Sequence, residues 1–188
     1  MNNKGVTLIE VVVSLAILAI VVTSVCSFVN IGMNTSTTST TIANIQKEAQ
    51  TVQNQLQTWI MEANQGIECF KDDTNYDQAL VIYHDGSEVS DRYVQIIYYR
   101  GQDKKLYYHK VMTSLSFTGT KEQIKADAAS IEAAGTWKEY VFSSYVSEVD
   151  IDLSHIESQL VTVNIGYEWK EKSYHTNNTI KLRNAISE

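Results

Sequence analysis

Charged side chains are absent from this sequence between Glu10 and Lys47. Within that gap Val11–Ile31 is 21 residues of mainly Val, Ile, Leu and Ala. As a helix it rises roughly 31 Å, about the thickness of a bilayer's hydrocarbon core. Valine lowers helix propensity in water, but in lipid the backbone can bond only to itself, so the run predicts one membrane-spanning helix. Asn34–Thr41 then reads NTSTTSTT, which is either a flexible linker or the weak middle of a continuing helix. Beyond it Ile42, Ile45, Ala49, Val52, Leu56 and Trp59 recur at intervals of 3, 4, 3, 4 and 3, with Gln46, Lys47, Glu48, Gln50, Gln53, Asn54 and Gln57 on the other faces. This stripe is too short for a coiled coil and predicts an amphipathic half-helix packed on a sheet. It ends at Asn64-Gln65-Gly66, with Gly66 as its C-cap.

From Leu80 the period changes to that of strands. Leu80–His84 is a short apolar run closed by a turn at Asp85-Gly86. Tyr93–Arg100 and Leu106–Met112 flank Gly101-Gln102-Asp103-Lys104 as a hairpin. Lys121–Ala134 is a short helix ended by Gly135, and Val149–Leu153 alternates with Asp150 and Asp152. In Leu160–Trp169, Val161, Val163, Ile165, Tyr167 and Trp169 share one face while Thr162, Asn164 and Glu168 share the other. Thr179–Arg183 ends the sheet. An amphipathic helix covering an antiparallel β-sheet is an α+β layer architecture.

Composition narrows the functional classes. The chain has 188 residues, one domain with an appendage, and 22 Asp+Glu against 15 Lys+Arg give −7. That balance argues against a basic nucleic-acid surface as the main business of the chain. Two cysteines exclude a disulfide-rich scaffold, and there is no proline.

The N-terminus carries the specific signal. Lys4-Gly5 precedes Val6-Thr7-Leu8-Ile9-Glu10, and a small residue after a basic one gives a protease an unhindered backbone. Glu10 is a carboxylate inside an apolar helix, where a charge costs about 2.5–3.5 kcal/mol at mid-bilayer and needs a partner. A cleaved secretory signal would have a shorter apolar run; Ser24-Val25-Cys26 is a passable site for one, but the run is too long and Glu10 sits inside its start. The pattern resembles the type IV pilin family, whose prepilins have a short basic leader ending in Gly and a Glu at the fifth mature position. The resemblance implies that a prepilin peptidase cuts between Gly5 and Val6 and methylates the new amine on Val6. It also implies that Glu10 meets a neighbouring subunit's N-terminal amine during assembly. Val6 departs from the usual Phe but keeps its apolar character.

The region after Tyr93 is similar to the minor-pilin and pseudopilin J/W group, through VQIIYYRGQDKKLYYHK, YVFSSYVSEVDIDL, LVTVNIGYEW and IKLRN. Together the two resemblances imply four parts: a leader, 1–5; a transmembrane and polymerisation helix, 6–33; the polar stretch and amphipathic half-helix, 34–66; and an extracellular β-sheet head, 67–188.

Other chemistry is thin. His84, His109, His155 and His175 are scattered, lie near no Cys pair and read as surface residues, so no metal is expected. Cys26 and Cys69 are too far apart along a straight helix for a disulfide. Asp73-Thr74-Asn75-Tyr76-Asp77 has the oxygen spacing of a calcium loop's start, but Gln78 and His84 stand where Gly and Glu are wanted, so a solvated acidic loop is expected. Asp150 and Asp152 read as a solvent-facing edge rather than a glycosidase pair. Tyr98-Tyr99 and Tyr107-Tyr108 place aromatics on both faces of the hairpin, one expected in the core and the other at a subunit contact or adhesive surface.

The expected function is therefore structural, with no catalytic residues and no cofactor: a minor pilin or pseudopilin subunit of a type IV pilus or secretion-like filament. The implied partners are other pilin subunits, the prepilin peptidase, an inner-membrane assembly platform and, before assembly, membrane lipid. The implied location is a single-pass membrane protein that passes to a cell-surface filament. The alternative is a membrane-anchored extracellular binding module that never polymerises. A DNA-binding tip through Lys104, Lys105, Lys170, Lys172, Lys181 and Arg183 is the one nucleic-acid partner to test.

Overall fold

The computed structural model describes residues 7–71, 73–86, 91–112, 119–169 and 172–184. The chain divides into two compact units, Met1–Asn44 and Ile45–Glu188. The first helix, α1, runs Leu8–Glu62 and contributes to both.

In the first unit α1 is helical throughout, and Asn34–Thr41 is helix rather than linker. Its threonines return their hydroxyls to the preceding turn: Thr37 to the Met33 carbonyl, Thr40 to Ser36 and Thr41 to Thr37, at 2.9–3.0 Å. Such back-bonding satisfies the hydroxyls inside the helix, where side chains of this type otherwise compete with the backbone.

The second unit begins with the amphipathic part of α1. Ile45, Ala49, Val52, Leu56, Ile60 and Ala63 are buried. The stripe therefore turns to Ile60 where Trp59 was expected. These neighbours lie about 100° apart, on opposite flanks of the stripe. Trp59 is half-buried and stacks on Tyr108, ring centroids 4.5 Å apart, with Phe142 at 5.2 Å. The helix ends at Glu62, and Gly66 is not its cap. Gly66 opens the first strand opposite Tyr83, where a Cβ would come 3.3 Å from that ring.

Two antiparallel sheets follow. In the first, β1 (Gly66–Lys71), β2 (Gln78–His84), β3 (Tyr93–Arg100), β4 (Lys105–Met112) and β5 (Val141–Ser143) lie in chain order. In the second, β6 (Val146–Asp152), β7 (Leu160–Trp169) and β8 (Lys172–Lys181) do the same. The β3–β4 hairpin has the expected four-residue loop. β1 was not expected, because Glu68 and Lys71 break its apolar pattern. β8 starts seven residues before the expected Thr179, because Ser173, His175, Asn177 and Asn178 are a polar edge. The second helix, α2, is Lys121–Ala133, and Gly135 ends it at φ +67°.

The first sheet is covered on both faces. One face carries Leu80, Ile82, Ile97, Tyr99 and Leu106 in a core shared with α1 and with Val161, Val163, Ile165 and Ile180 of the second sheet. The other carries Val81, Ile96, Tyr98 and Tyr107 under Ile124, Ala128 and Ile131 of α2 and the Trp137 ring. Among the described residues both faces of the tyrosine hairpin are packed, Tyr98 and Tyr107 under α2 and Tyr99 and Tyr108 against the α1 side, where one face was expected to be a subunit contact or adhesive surface. A polar tie fixes the amphipathic helix to β5, since the Glu48 carboxylate accepts from the Ser143 hydroxyl at 2.7 Å and from the Ser144 N–H.

Candidate functional site

The N-terminal turn of α1 is built around Thr7 and Glu10. The Thr7 backbone N–H and its hydroxyl both donate to Glu10 Oε2, each at 3.0 Å. The Glu10 and Val11 N–H groups reach the Thr7 carbonyl at 3.1 and 3.3 Å. This is a capping box: a Thr before the first turn and a Glu three positions on satisfy one another's free groups. The carboxylate also sits at the positive end of the helix dipole. Glu10 therefore has an intrachain partner, visible in the sequence as T-x-x-E directly before an apolar run. Gly5 and Val6 lie outside the described residues.

Past this turn every described residue through Thr37 is exposed, including Leu8, Ile9, Val12, Leu15, Leu18 and Ile20. By length and composition α1 is long and apolar enough to cross a membrane. Its few hydroxyls make no demand on a partner, since Ser14, Thr23, Ser24 and Ser27 each donate to a carbonyl one turn back at 2.7–3.0 Å. In lipid those four hydroxyls are satisfied within the helix.

Residues 1–25 match the family model of the prokaryotic N-terminal methylation motif, the N-terminal signature of type IV prepilins. The chain is type IV pilin-like. The motif, the long apolar helix and the antiparallel sheets agree on that point. Neither the curated proteins nor the solved structures give a match to the chain. The motif points to a structural protein, to pilin subunits and prepilin peptidase as its general partners, and to a membrane-anchored pilin.

Elsewhere in this pilin-like chain the expected sites separate. His84 is buried, not a surface residue; its Nε2 meets Gln95 Oε1 at 2.7 Å, its ring stacks on Tyr93, and burial lowers its pKa. His155 and His175 are exposed. Asp73 turns its carboxylate to the Asn75 N–H at 3.1 Å and to Lys125 at 3.6 Å, and Asp77 accepts from the Gly101 N–H, so the acidic loop spends its oxygens on the fold. Among the described residues no group of three His, Cys, Asp or Glu side chains converges as a metal site. Asp150 and Asp152 are exposed on β6. The candidate DNA-binding cations do not converge: Lys172 and Lys181 lie at opposite ends of the ten-residue β8. Lys104 is engaged by Glu168 at 2.8 Å, and Lys170 lies outside the described residues. Cys26 and Cys69 are both free.

One constellation had no signal in the sequence. Asp127 of α2 accepts from the Tyr98 hydroxyl at 2.6 Å and meets His109 Nδ1 at 2.8 Å. Burial, followed by the Asp127 charge, pushes the Tyr98 pKa far up, so the phenol stays a donor. His109 also lines a cleft of about 430 Å³ with Tyr108, Lys110, Glu139 and Tyr140. Its packing between α2 and β4 reads as structural, a polar pin between helix and sheet.

Proposed function

We propose that this chain is a minor pilin or pseudopilin subunit that enters a filament through its N-terminal helix. In this reading a prepilin peptidase cleaves between Gly5 and Val6 and methylates the Val6 amine, and Glu10 then meets that amine on a neighbouring subunit. The methylation motif supports it, joined to the exposed apolar first part of that helix, residues 8–33, which holds a single carboxylate. The parts expected above, a leader 1–5, a helix 6–33, a second half-helix to 66 and a head 67–188, belong to the same proposal. Intact mass and N-terminal sequencing of protein from native membranes should find a chain beginning at methylated Val6. Glu10→Val should still insert and be processed, yet be depleted from sheared filaments, because a neighbour's amine would lose its counter-charge at about 3–5 kcal/mol. Equal incorporation of wild type and variant would refute the role of Glu10.

One observation favours the second reading, a membrane-anchored module that does not polymerise. Thr7 already satisfies Glu10 within the chain, so the carboxylate needs no second subunit. An N-terminus at Val6 with no protein in sheared filaments would select that reading.

A further inference from the structure

β4 runs on past its outer neighbour. β5 pairs with it only at Leu106↔Ser143 and Tyr107↔Val141, with a register shift between them, while β4 continues to Met112. Where the two part, residues 108–110 and 139–142 line the cleft of about 430 Å³, a volume in the range of small-molecule sites. Its aromatic lining is held in place. The Trp59 ring stacks on Tyr108 and lies 5.2 Å from Phe142, and the Tyr140 and His109 rings meet at 4.9 Å, steeply inclined. Val141 adds an exposed apolar side chain.

The polar groups of the cleft are fixed by the fold yet keep hydrogen-bonding capacity to spare. The Asp127 carboxylate can only accept, so it holds the proton of a neutral His109 on Nδ1 and leaves Nε2 as an acceptor. Tyr108 Oη accepts from Gln95 Nε2 at 3.0 Å, which leaves its own hydrogen to donate. Among the described residues His109 Nε2, the Tyr140 hydroxyl and the exposed Glu139 carboxylate have no hydrogen-bond partner. The Lys110 ammonium is drawn to the Tyr93 ring, 3.6 Å from its centroid, and Tyr93 does not line the cleft.

We propose that this cleft binds a neutral sugar ring. A ligand here must donate to His109 Nε2 and Glu139, accept from Tyr108, and lay apolar surface on aromatic side chains. A pyranose does all three, since each hydroxyl both donates and accepts, and one face of the ring is lined by C–H groups. An anionic ligand would meet Glu139 with no free cation among the lining residues. An ammonium or guanidinium has no acceptor for the Tyr108 hydrogen. The cleft lies wholly within the Ile45–Glu188 unit and needs neither cleavage at Gly5 nor Glu10, so it is tested separately from the filament reading.

The test uses the full chain in phospholipid nanodiscs, which carry no sugar, and saturation-transfer NMR. The probes are the methyl α- and β-glycosides of glucose, galactose, mannose and N-acetylglucosamine. At least one should bind with a Kd on the order of 1 mM, as suits a ligand of this size in an open cleft. The strongest transfer should fall on the ring C–H protons of one face, where the aromatic side chains lie. Tyr140→Ala should weaken binding roughly tenfold. Glu139→Ala removes an exposed side chain, leaves the fold intact and should weaken binding about fivefold. Glu148→Ala, outside the cleft, should bind as wild type. Circular dichroism checks that Tyr140→Ala folds; if it does not, Glu139→Ala decides. No glycoside bound below about 50 mM, Glu139→Ala or a folded Tyr140→Ala that binds as wild type, or an equal loss with Glu148→Ala would each overturn the proposal.

Discussion

Truncating Ile60 tests how the amphipathic part of α1 meets the sheets. Ile60 is fully buried in the core it shares with both sheets. Ile60→Ala removes three carbon groups, a transfer loss of about 2.4 kcal/mol at ~0.8 per group. The surrounding strands are tied by their ladders and collapse little, so the cavity adds to this and the total should be about 3–4 kcal/mol. Trp59→Ala removes a larger side chain but a half-exposed one. It loses the stack on Tyr108 and the tilted contact with Phe142, roughly 0.5–1.5 kcal/mol each, and should cost about 2 kcal/mol with its partial burial. The assay is urea unfolding of a truncated chain starting at Thr41, which should be soluble and folded. Circular dichroism should show a shifted midpoint and an unchanged slope. A loss below about 1 kcal/mol for Ile60→Ala would refute the packing, because full burial cannot be that cheap to remove. A greater loss for Trp59→Ala than for Ile60→Ala would show that the stripe faces the other way.

Burial holds the His84 pKa below its ordinary value of 6.5. The unfolded chain therefore takes up a proton before the folded one, and stability should be flat above about 6.5 and fall as pH drops below it. Glu62, Lys110 and the Gln95 amide all act on this ring; His84→Gln should flatten the fall between about pH 6.5 and 5 in thermal melts, and an unaltered slope would refute it. Gly119 sits at φ +71°, where a Cβ would overlap the Tyr83 hydroxyl that donates to its carbonyl. Gly119→Ala should cost about 2–4 kcal/mol in the same urea assay, combining left-handed strain with overpacking.

The sequence was legible where a residue's role depends on near neighbours. The apolar run, the four-residue hairpin loop, α2 with Gly135, and the alternation along β7 are all local patterns, and each appears where expected. Trp59 and Gly66 were misplaced because a stripe's flank and a helix's last turn are decided by what packs against them. β1 and β8 were missed or shortened because edge strands carry charge and amide side chains. The burial of the Tyr98 and Tyr107 face depends on α2, which lies beyond the hairpin in the chain. At the candidate site the motif was plain, but the Thr7 hydrogen bonds were not read, although their spacing is a local signal. The Tyr98–Asp127–His109 cluster joins positions 29 and 18 residues apart and has no such spacing.

The core shared by α1 and β8 joins chain segments made at very different times. Gln57 meets Asn178 across 121 positions, and Ile180 completes the same apolar cluster as Leu56. At 5–20 residues per second the ribosome releases β8 roughly 6–24 s after α1 is complete. For that interval Ile45, Val52, Leu56 and Ile60 form an amphipathic helix whose last cover does not yet exist. Helices of this type settle at a lipid headgroup boundary, with the apolar stripe turned inward. In the membrane-anchored reading proposed above, the bilayer surface beside the anchored helix offers such a boundary for the unfinished head. Completion of the second sheet is the step that supplies the last cover of the stripe, through Ile180.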